Sequence, residues 1–507
     1  MTQTAAIFLA TALVVLATLI PTYVISKRSA VSEDDWAVAD RSLPIYVVIG
    51  TQFASAMGGG ILVGHLGNAY LNGVAILIYG LLTVLPFFFI MIPAKWLRQN
   101  NFTTVPEILR HFSDNSKFVG IVAAVMTIFV PFGWITSQIT AFGSIYSTIT
   151  GVDYKLLCIV FTFVSLLFVM PAGLKTVAWT DFIFACFMIL MCIISIIEVT
   201  NMGGGLKNIL NNVDPEMLSM SGSIKKLGTG TVLLWVFSVL PGGVTNQLYF
   251  QRVCAIKEEK EIPASLAISA FLAFLSFVWA VYMGMSISTM NTELAQSTAT
   301  GWFMAQLPLP LLAAFAALVF AVMMSTVSSG AQSVVVNITR DILAVLKPDI
   351  PSDKMLKLSR TLSLVTMVVA VLMCLVFTDT LTWLVATYAF SAATLLCPIY
   401  VGYVYRNKKF ITRQGLIASM VAGCVGCAVA MAMKTAINYA VMGIVASFIA
   451  LMVVSALTEG ESCGRRRIIF RKRFYIEELP SMYTDGVYIV LKERQICLSF
   501  LYGEQIK

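Results

Sequence analysis

Apolar residues in this chain come in runs of about 20 or more, and short stretches between them hold most of the charged side chains. A run of that length crosses a roughly 30 Å hydrocarbon layer as one α-helix. About thirteen such runs follow one another, at residues 5–26, 44–70, 73–94, 118–149, 153–174, 176–199, 231–252, 262–288, 308–339, 361–379, 381–405, 415–433 and 437–457. The pattern predicts an all-α polytopic membrane protein with about 13 transmembrane helices.

Without the first run, the next ten divide into two sets of five, 44–199 and 231–405, separated by a Gly-rich and Asn-rich loop. An odd number of crossings per half turns the second half over relative to the first, the layout of an inverted-repeat secondary transporter. The expected organisation is an extra N-terminal helix and loop (1–43), a transporter core (44–405), two extra helices (406–457) and a basic tail (458–507) whose partial alternation suggests a short hairpin.

Both lead helices of these halves carry residues that interrupt a helix. The first contains Met57, Gly58, Gly59 and Gly60, and the second contains Pro241, Gly242 and Gly243 near its centre. Proline lacks the backbone donor and glycine costs roughly 1 kcal/mol inside a helix. Each break frees carbonyls and amides near the bilayer midplane, and these need partners there. A packing role competes for Gly60 and Gly64, which form a GxxxG pair. Matched breaks in both halves favour a solute and ion site.

Run 308–339 adds a dense row of hydroxyls, "MMSTVSSGAQS". At 3.6 residues per turn, Val322, Ser325, Thr326 and Ser329 share one face, and Ser325, Ser328, Ser329 and Gln332 an overlapping one. Such hard, uncharged oxygens suit a dehydrated alkali cation better than a transition metal. Small hydroxyl residues also join membrane helices, but four within five positions exceed that need. Asp181 is the carboxylate set inside a run away from its very end, a functional candidate by default, with attraction to a helix N-terminus as the competing role. His65, after the glycine break, reads as a packing residue in preference to a proton switch.

Composition narrows the classes. Hydrophobic residues make up 58% of the 507 and charged residues 12%, more apolar surface than one soluble core hides. The net charge of +8 sits in short loops without interleaved aromatics, so it speaks for membrane topology and against nucleic acid. Lys27, Arg28, Lys95, Arg98, Lys257, Lys260, Arg406 and Arg465 to Arg467 fall on one side, which predicts the N-terminus outside and the C-terminus cytoplasmic. The first run lacks a basic leader and a cleavage site and reads as a genuine span. The sequons at Asn101 and Asn337 fall on the cytoplasmic side, and no external glycan is expected. The ten cysteines lie mostly in apolar runs, and Cys424 and Cys427 read as packing residues. No catalytic constellation, metal-ligand spacing or phosphate loop is present, which argues against an enzyme.

The motifs "ADRSLP", "SAMGGGILVGHLGNAYLNG", "AWTD", "QLYFQR" and "MMSTVSSGAQSVVVNITRD" resemble those of the sodium:solute symporter family over about residues 36–457. The resemblance implies a leucine-transporter-like fold of five plus five inverted helices with a broken first helix in each repeat. It also implies a coupling sodium held by the carbonyls of Ala54, Met57 and Val322 and the hydroxyls of Ser325 and Thr326. Some members have a second sodium site, which Asp181, Ser325, Ser328 and Ser329 match here.

For the solute, polar and aromatic residues near the midplane suggest Gln52, Ser55, Trp134, Gln138, Asn246 and Tyr388. Run 118–149 has no arginine to clamp a substrate acid. The expected activity is sodium-driven import of a small polar organic solute by alternating access, across a plasma membrane of the bacterial inner-membrane type, with the cytoplasmic path opening past a loose end at Arg340 and Asp341. The alternative is a transporter-like solute sensor that signals through a partner.

Overall fold

The computed structural model describes residues 2–29, 38–169, 173–376, 379–408, 410–435 and 437–474. Buried in lipid, each apolar run satisfies its own backbone donors and acceptors by becoming helix. The first half follows α1 (Gln3–Ser29) and contains α2 (Ile45–Ala56), a π-helical turn (Gly60–His65), α3 (Leu66–Asn72), α4 (Ile76–Gln99), α5 (Val105–Phe112), α6 (Lys117–Thr127), α7 (Phe129–Thr150), α8 (Tyr154–Val169) and α9 (Leu174–Met202). Three short helices, α10 (Leu206–Asn212), α11 (Pro215–Leu218) and α12 (Met220–Leu227), lead to the second half. That half contains α13 (Thr229–Gly243), α14 (Gln247–Ala255), α15 (Ile262–Met290), α16 (Ala299–Ala305), α17 (Leu309–Val336), α18 (Ser352–Val376) and α19 (Thr380–Tyr405). Helices α20 (Arg413–Ala432) and α21 (Tyr439–Phe474) follow.

Among the described residues, eleven helical stretches are long and apolar enough to cross a membrane, and Ile45–Ala56 and Tyr154–Val169 are shorter apolar helices. Helix α2 is short because it is one half of a broken span. Run 118–149 forms two helices that meet at Ile128, just before Pro131, which cannot donate to the Thr127 carbonyl.

Packing repeats between the halves. Each broken lead helix lies along the fifth member of its own half, α2 on α9 and α13 on α19. The second members, α4 and α15, pack on each other, and so do the third members, α7 and α17. The extra helix α1 covers α17.

The segment between the halves is ordered by specific bonds, where composition alone suggested a loop. Ser223 on α12 accepts from the Ala75 amide at 2.7 Å and donates to the Asn72 carbonyl, pinning the corner between α3 and α4. Asp214 pairs with Lys226, whose hydrogen bond holds its carboxyl below the usual carboxylate range.

The chain divides into two units, Met1–Leu457 and Thr458–Lys507. Within the second, residues 458–474 are helical; the rest of that unit, with most of the stretch expected to form a hairpin, lies outside the described residues.

Candidate functional site

The first break lies where the chain presses against α7. Helix α2 stops at Ala56, and Met57 leaves helical geometry (φ −79°, ψ 42°). A Cβ on Gly58 would stand 2.5 Å from the Gln138 Oε1, and one on Gly59 would collide with the Ala141 Cβ, so both glycines allow the bent chain to lie against α7. The amide freed at Gly59 donates to the Gln138 Oε1. A Cβ on Gly60 or Gly64 would instead stand at an ordinary 3.5 Å from Leu384 or Leu381 of α19. The run of glycines therefore serves two surfaces, one too close for a side chain and one not.

The second break differs from expectation. Helix α13 continues through Pro241 to Gly243, and the chain leaves helix at Val244–Asn246. The glycines there are packing positions: a Cβ on Gly242 would stand 2.8 Å from the Tyr388 Cα, and one on Gly243 would stand 2.5 Å from the Pro86 Cγ. Asn246 restarts the helix, its Oδ1 accepting from the Leu248 amide at 3.1 Å.

Across the first break, Thr326 of α17 places its hydroxyl 3.4 Å from the Ala54 carbonyl and 3.3 Å from the Val322 carbonyl. Three oxygens from two helices thus converge beside the chain end at Met57, all of them buried. Ser325, next in sequence, turns its hydroxyl to Asp181 Oδ1.

Asp181 lies in the third turn of α9, beyond the first turn where a helix dipole acts, and is fully buried. Its Oδ2 accepts from Thr51 at 2.5 Å and from Ser329 at 3.1 Å. Ser328 does not join this cluster: its hydroxyl donates to the Met324 carbonyl of its own helix at 3.0 Å. Ser329 is one full turn from Ser325, whereas Ser328 points about 100° away from Ser329.

The same cluster contains a cation that the sequence reading passed over. Arg252 of α14 is 1% exposed, and its Nη2 lies 2.9 Å from the Ser329 Oγ, 3.0 Å from the Ser55 Oγ, 3.1 Å from the Thr51 Oγ1 and 3.7 Å from Asp181 Oδ2. Its Nη1 donates to the Leu248 carbonyl at 3.2 Å. The residue closes run 231–252 as the last position of QLYFQR, and its place in the sequence assigns it no role of its own. No local signal marks it, since the burial of every residue of Gln247–Ala255 arises only on folding. A second monovalent cation about 4 Å from this guanidinium would be repelled by roughly 4 kcal/mol at an effective dielectric constant of 20.

On the other side of the break is a small cavity. Ser55, Trp134, Gln138 and Tyr388 line it, together with His65, Tyr79, Tyr249 and Phe277, which the sequence reading did not propose as solute contacts. The Trp134 Nε1 donates to the Tyr388 hydroxyl at 3.0 Å. His65 packs on Tyr79 and Phe277, with ring centroids 4.2 Å and 4.9 Å away. The His65 Nδ1, Tyr79 hydroxyl and Tyr249 hydroxyl are buried and have no hydrogen-bond partner among the described residues, and all three residues line the cavity. Gln52 and Asn246 are not part of that wall: Gln52 is buried in α2 and Asn246 serves as the helix cap.

At the end of the bundle that carries Arg340, the chain is tied. The Arg340 Nε donates to Glu107 at 2.7 Å, and the Thr104 hydroxyl donates to Asp341 at 2.9 Å, which joins the π-helical end of α17 to α5. The loose end expected at Arg340 and Asp341 is a clasp, because two charged or polar side chains there find partners on a neighbouring helix.

Ten crossings in two sets of five, each with a broken lead helix, define a membrane transporter of the leucine-transporter-like fold. Residues 36–423 match the profile of the sodium:solute symporter family, and the chain belongs to that family. It is 23% identical to a sodium/glucose cotransporter of Vibrio parahaemolyticus over 68% of this chain and 70% of that one. It is also 23% identical to the osmoregulated proline transporter OpuE of Bacillus subtilis, over 87% and 92% of the two chains. Among solved structures, a sodium-coupled sialic acid symporter in a substrate-bound outward-open state superposes with a TM-score of 0.77 at 14% identity, over 89% of this chain and 97% of that one. The nucleobase-cation-symport-1 family transporter Mhp1 superposes at 0.56, with 16% identity over 83% and 92%.

Proposed function

We propose that the chain imports a small polar organic solute together with sodium through a bacterial-type plasma membrane, with its N-terminus outside and its C-terminus in the cytoplasm. The observation that carries this reading is the convergence of the Thr326 hydroxyl with the Ala54 and Val322 carbonyls at the first break. Sodium bound there, with the Met57 carbonyl and Ser325 as further ligands, bridges α2 to α17 and holds the cavity in its solute-binding shape. Linkage then requires solute to raise sodium affinity by the same factor. The inward gradients supply the work, about 2.3 kcal/mol per charge for each 100 mV.

No Arg, Lys, Asp or Glu lines the cavity among the described residues. Its rings, hydroxyls and amide favour a solute that is neutral or internally charge-balanced. Relatives named for proline and glucose carriage fit that description, and the paired side chains of Trp134 and Tyr388 are the proposed contacts. The test is thermal unfolding of the purified chain against amino acids, sugars, carboxylates and vitamins, in sodium and again in potassium. At a hundredfold its dissociation constant a true solute stabilises by about 2.7 kcal/mol. A shift of that size in sodium but not in potassium supports the reading; equal shifts in both salts would remove sodium coupling from it.

A further inference from the structure

Resting on the sodium reading above and deepening it, we infer that Arg252 is a built-in cation that holds the place of a second sodium beside Asp181, so that one sodium accompanies each solute. The Asp181 carboxylate and the hydroxyls of Thr51, Ser325 and Ser329 are each 2% exposed or less, the donor set a second dehydrated sodium would use. In this chain those groups are already engaged. Thr51 and Ser329 give their protons to Asp181 Oδ2, and Ser325 gives its proton to Oδ1. The oxygens of Thr51 and Ser329 then accept from Arg252 Nη2, at 3.1 Å and 2.9 Å. Each of these two hydroxyls therefore has its proton on the carboxylate and its lone pair on the guanidinium.

A sodium ion entering here would sit against a like charge in a water-poor interior or would have to displace it. Displacement is opposed from both ends, since Arg252 is also tied to its own half-helix through the Leu248 carbonyl and to Ser55 of α2. Guanidinium stays protonated at any pH a cell presents. Its charge does not come and go with the transport cycle. Arg252 thereby links α14 permanently to α2, α9 and α17, the elements a second ion would bridge only when bound. That leaves the site at Thr326 alone to respond to sodium concentration.

The experiment is equilibrium binding of radioactive sodium to the full purified chain, which needs no knowledge of the solute. We expect one sodium per chain, lost in Thr326→Ala and retained in Asp181→Asn. Arg252→Gln should double the bound sodium, Asp181→Asn added to it should return the count to one, and Arg252→Lys should leave it at one. Two sodium ions on the unaltered chain would overturn the inference, as would loss of one of them in Asp181→Asn; both readings are independent of whether the Arg252→Gln chain folds. An Arg252→Gln chain that gel filtration and circular dichroism show to be folded, and that still binds one sodium, would overturn it too. No sodium on the unaltered chain would instead overturn the sodium site at Thr326, so the two failures are distinct.

Discussion

Thr326 stands 3.4 Å from the carbonyl of Ala54, a residue 272 positions earlier in the chain. The contact joins the hydroxyl-bearing face of α17 to the end of α2 where its helical bonding stops. Replacing Thr326 by alanine removes one of the proposed sodium ligands. Together with Ser325→Ala, it should raise the sodium concentration needed for half-maximal uptake by an order of magnitude or more. A sodium activation curve in proteoliposomes checks this, and an unshifted curve would place the ion elsewhere.

The glycines of the first break should not be equivalent. Gly59→Ala drives a methyl group into Ala141, whereas Gly60→Ala finds its nearest neighbour, Leu384, at 3.5 Å. Overpacking of the first kind costs about 1–3 kcal/mol. Thermal unfolding in detergent should therefore show a clear loss for Gly59→Ala and almost none for Gly60→Ala. Equal effects would mean that the close approach to α7 is not what selects glycine.

The hydrogen bond from Trp134 to Tyr388 shapes one wall of the cavity. Tyr388→Phe leaves the buried indole N–H without its acceptor, a loss of about 1–3 kcal/mol for such a group. Solute KM should rise by roughly fivefold or more, with a smaller effect on the maximal rate. An unchanged KM would move the solute away from this wall.

The clasp at Glu107 and Arg340 should govern opening at that end. Both side chains are about one-fifth exposed, so the pair is partly screened. Glu107→Gln should loosen the end of α17 and increase labelling of a cysteine placed at Thr339 by a thiol reagent that does not cross membranes. In a Glu107→Gln and Arg340→Gln double variant the two effects should be less than additive, with a coupling of about 1 kcal/mol. Full additivity would show that the two side chains act separately.

Much of this molecule is legible along the chain because its signals are local. Run length against bilayer thickness sets the number of crossings, and an odd count per half inverts the second half. Gly58 and Gly59 mark a break because no neighbour is needed to know that glycine weakens a helix. The spacing of Ser325, Thr326 and Ser329 shows a shared face because helical period is a property of the chain.

Where those faces point is decided between helices, and period alone does not carry it. Ser328 turns to its own Met324 carbonyl while Ser329 meets Asp181 and Arg252. The second break falls at Val244–Asn246, after the glycines, because Gly242 and Gly243 are needed for close contact with Tyr388 and Pro86. Arg252 stands apart most clearly: read in sequence it ends an apolar run, and only folding brings it to Thr51, 201 positions away. A charge can stay in such a place only if distant residues supply its counter-charge and its acceptors together. The chain by itself therefore determined the helices, their inversion and the first break, while tertiary packing decided where the second break falls, which oxygens face one another and which cation lies among them.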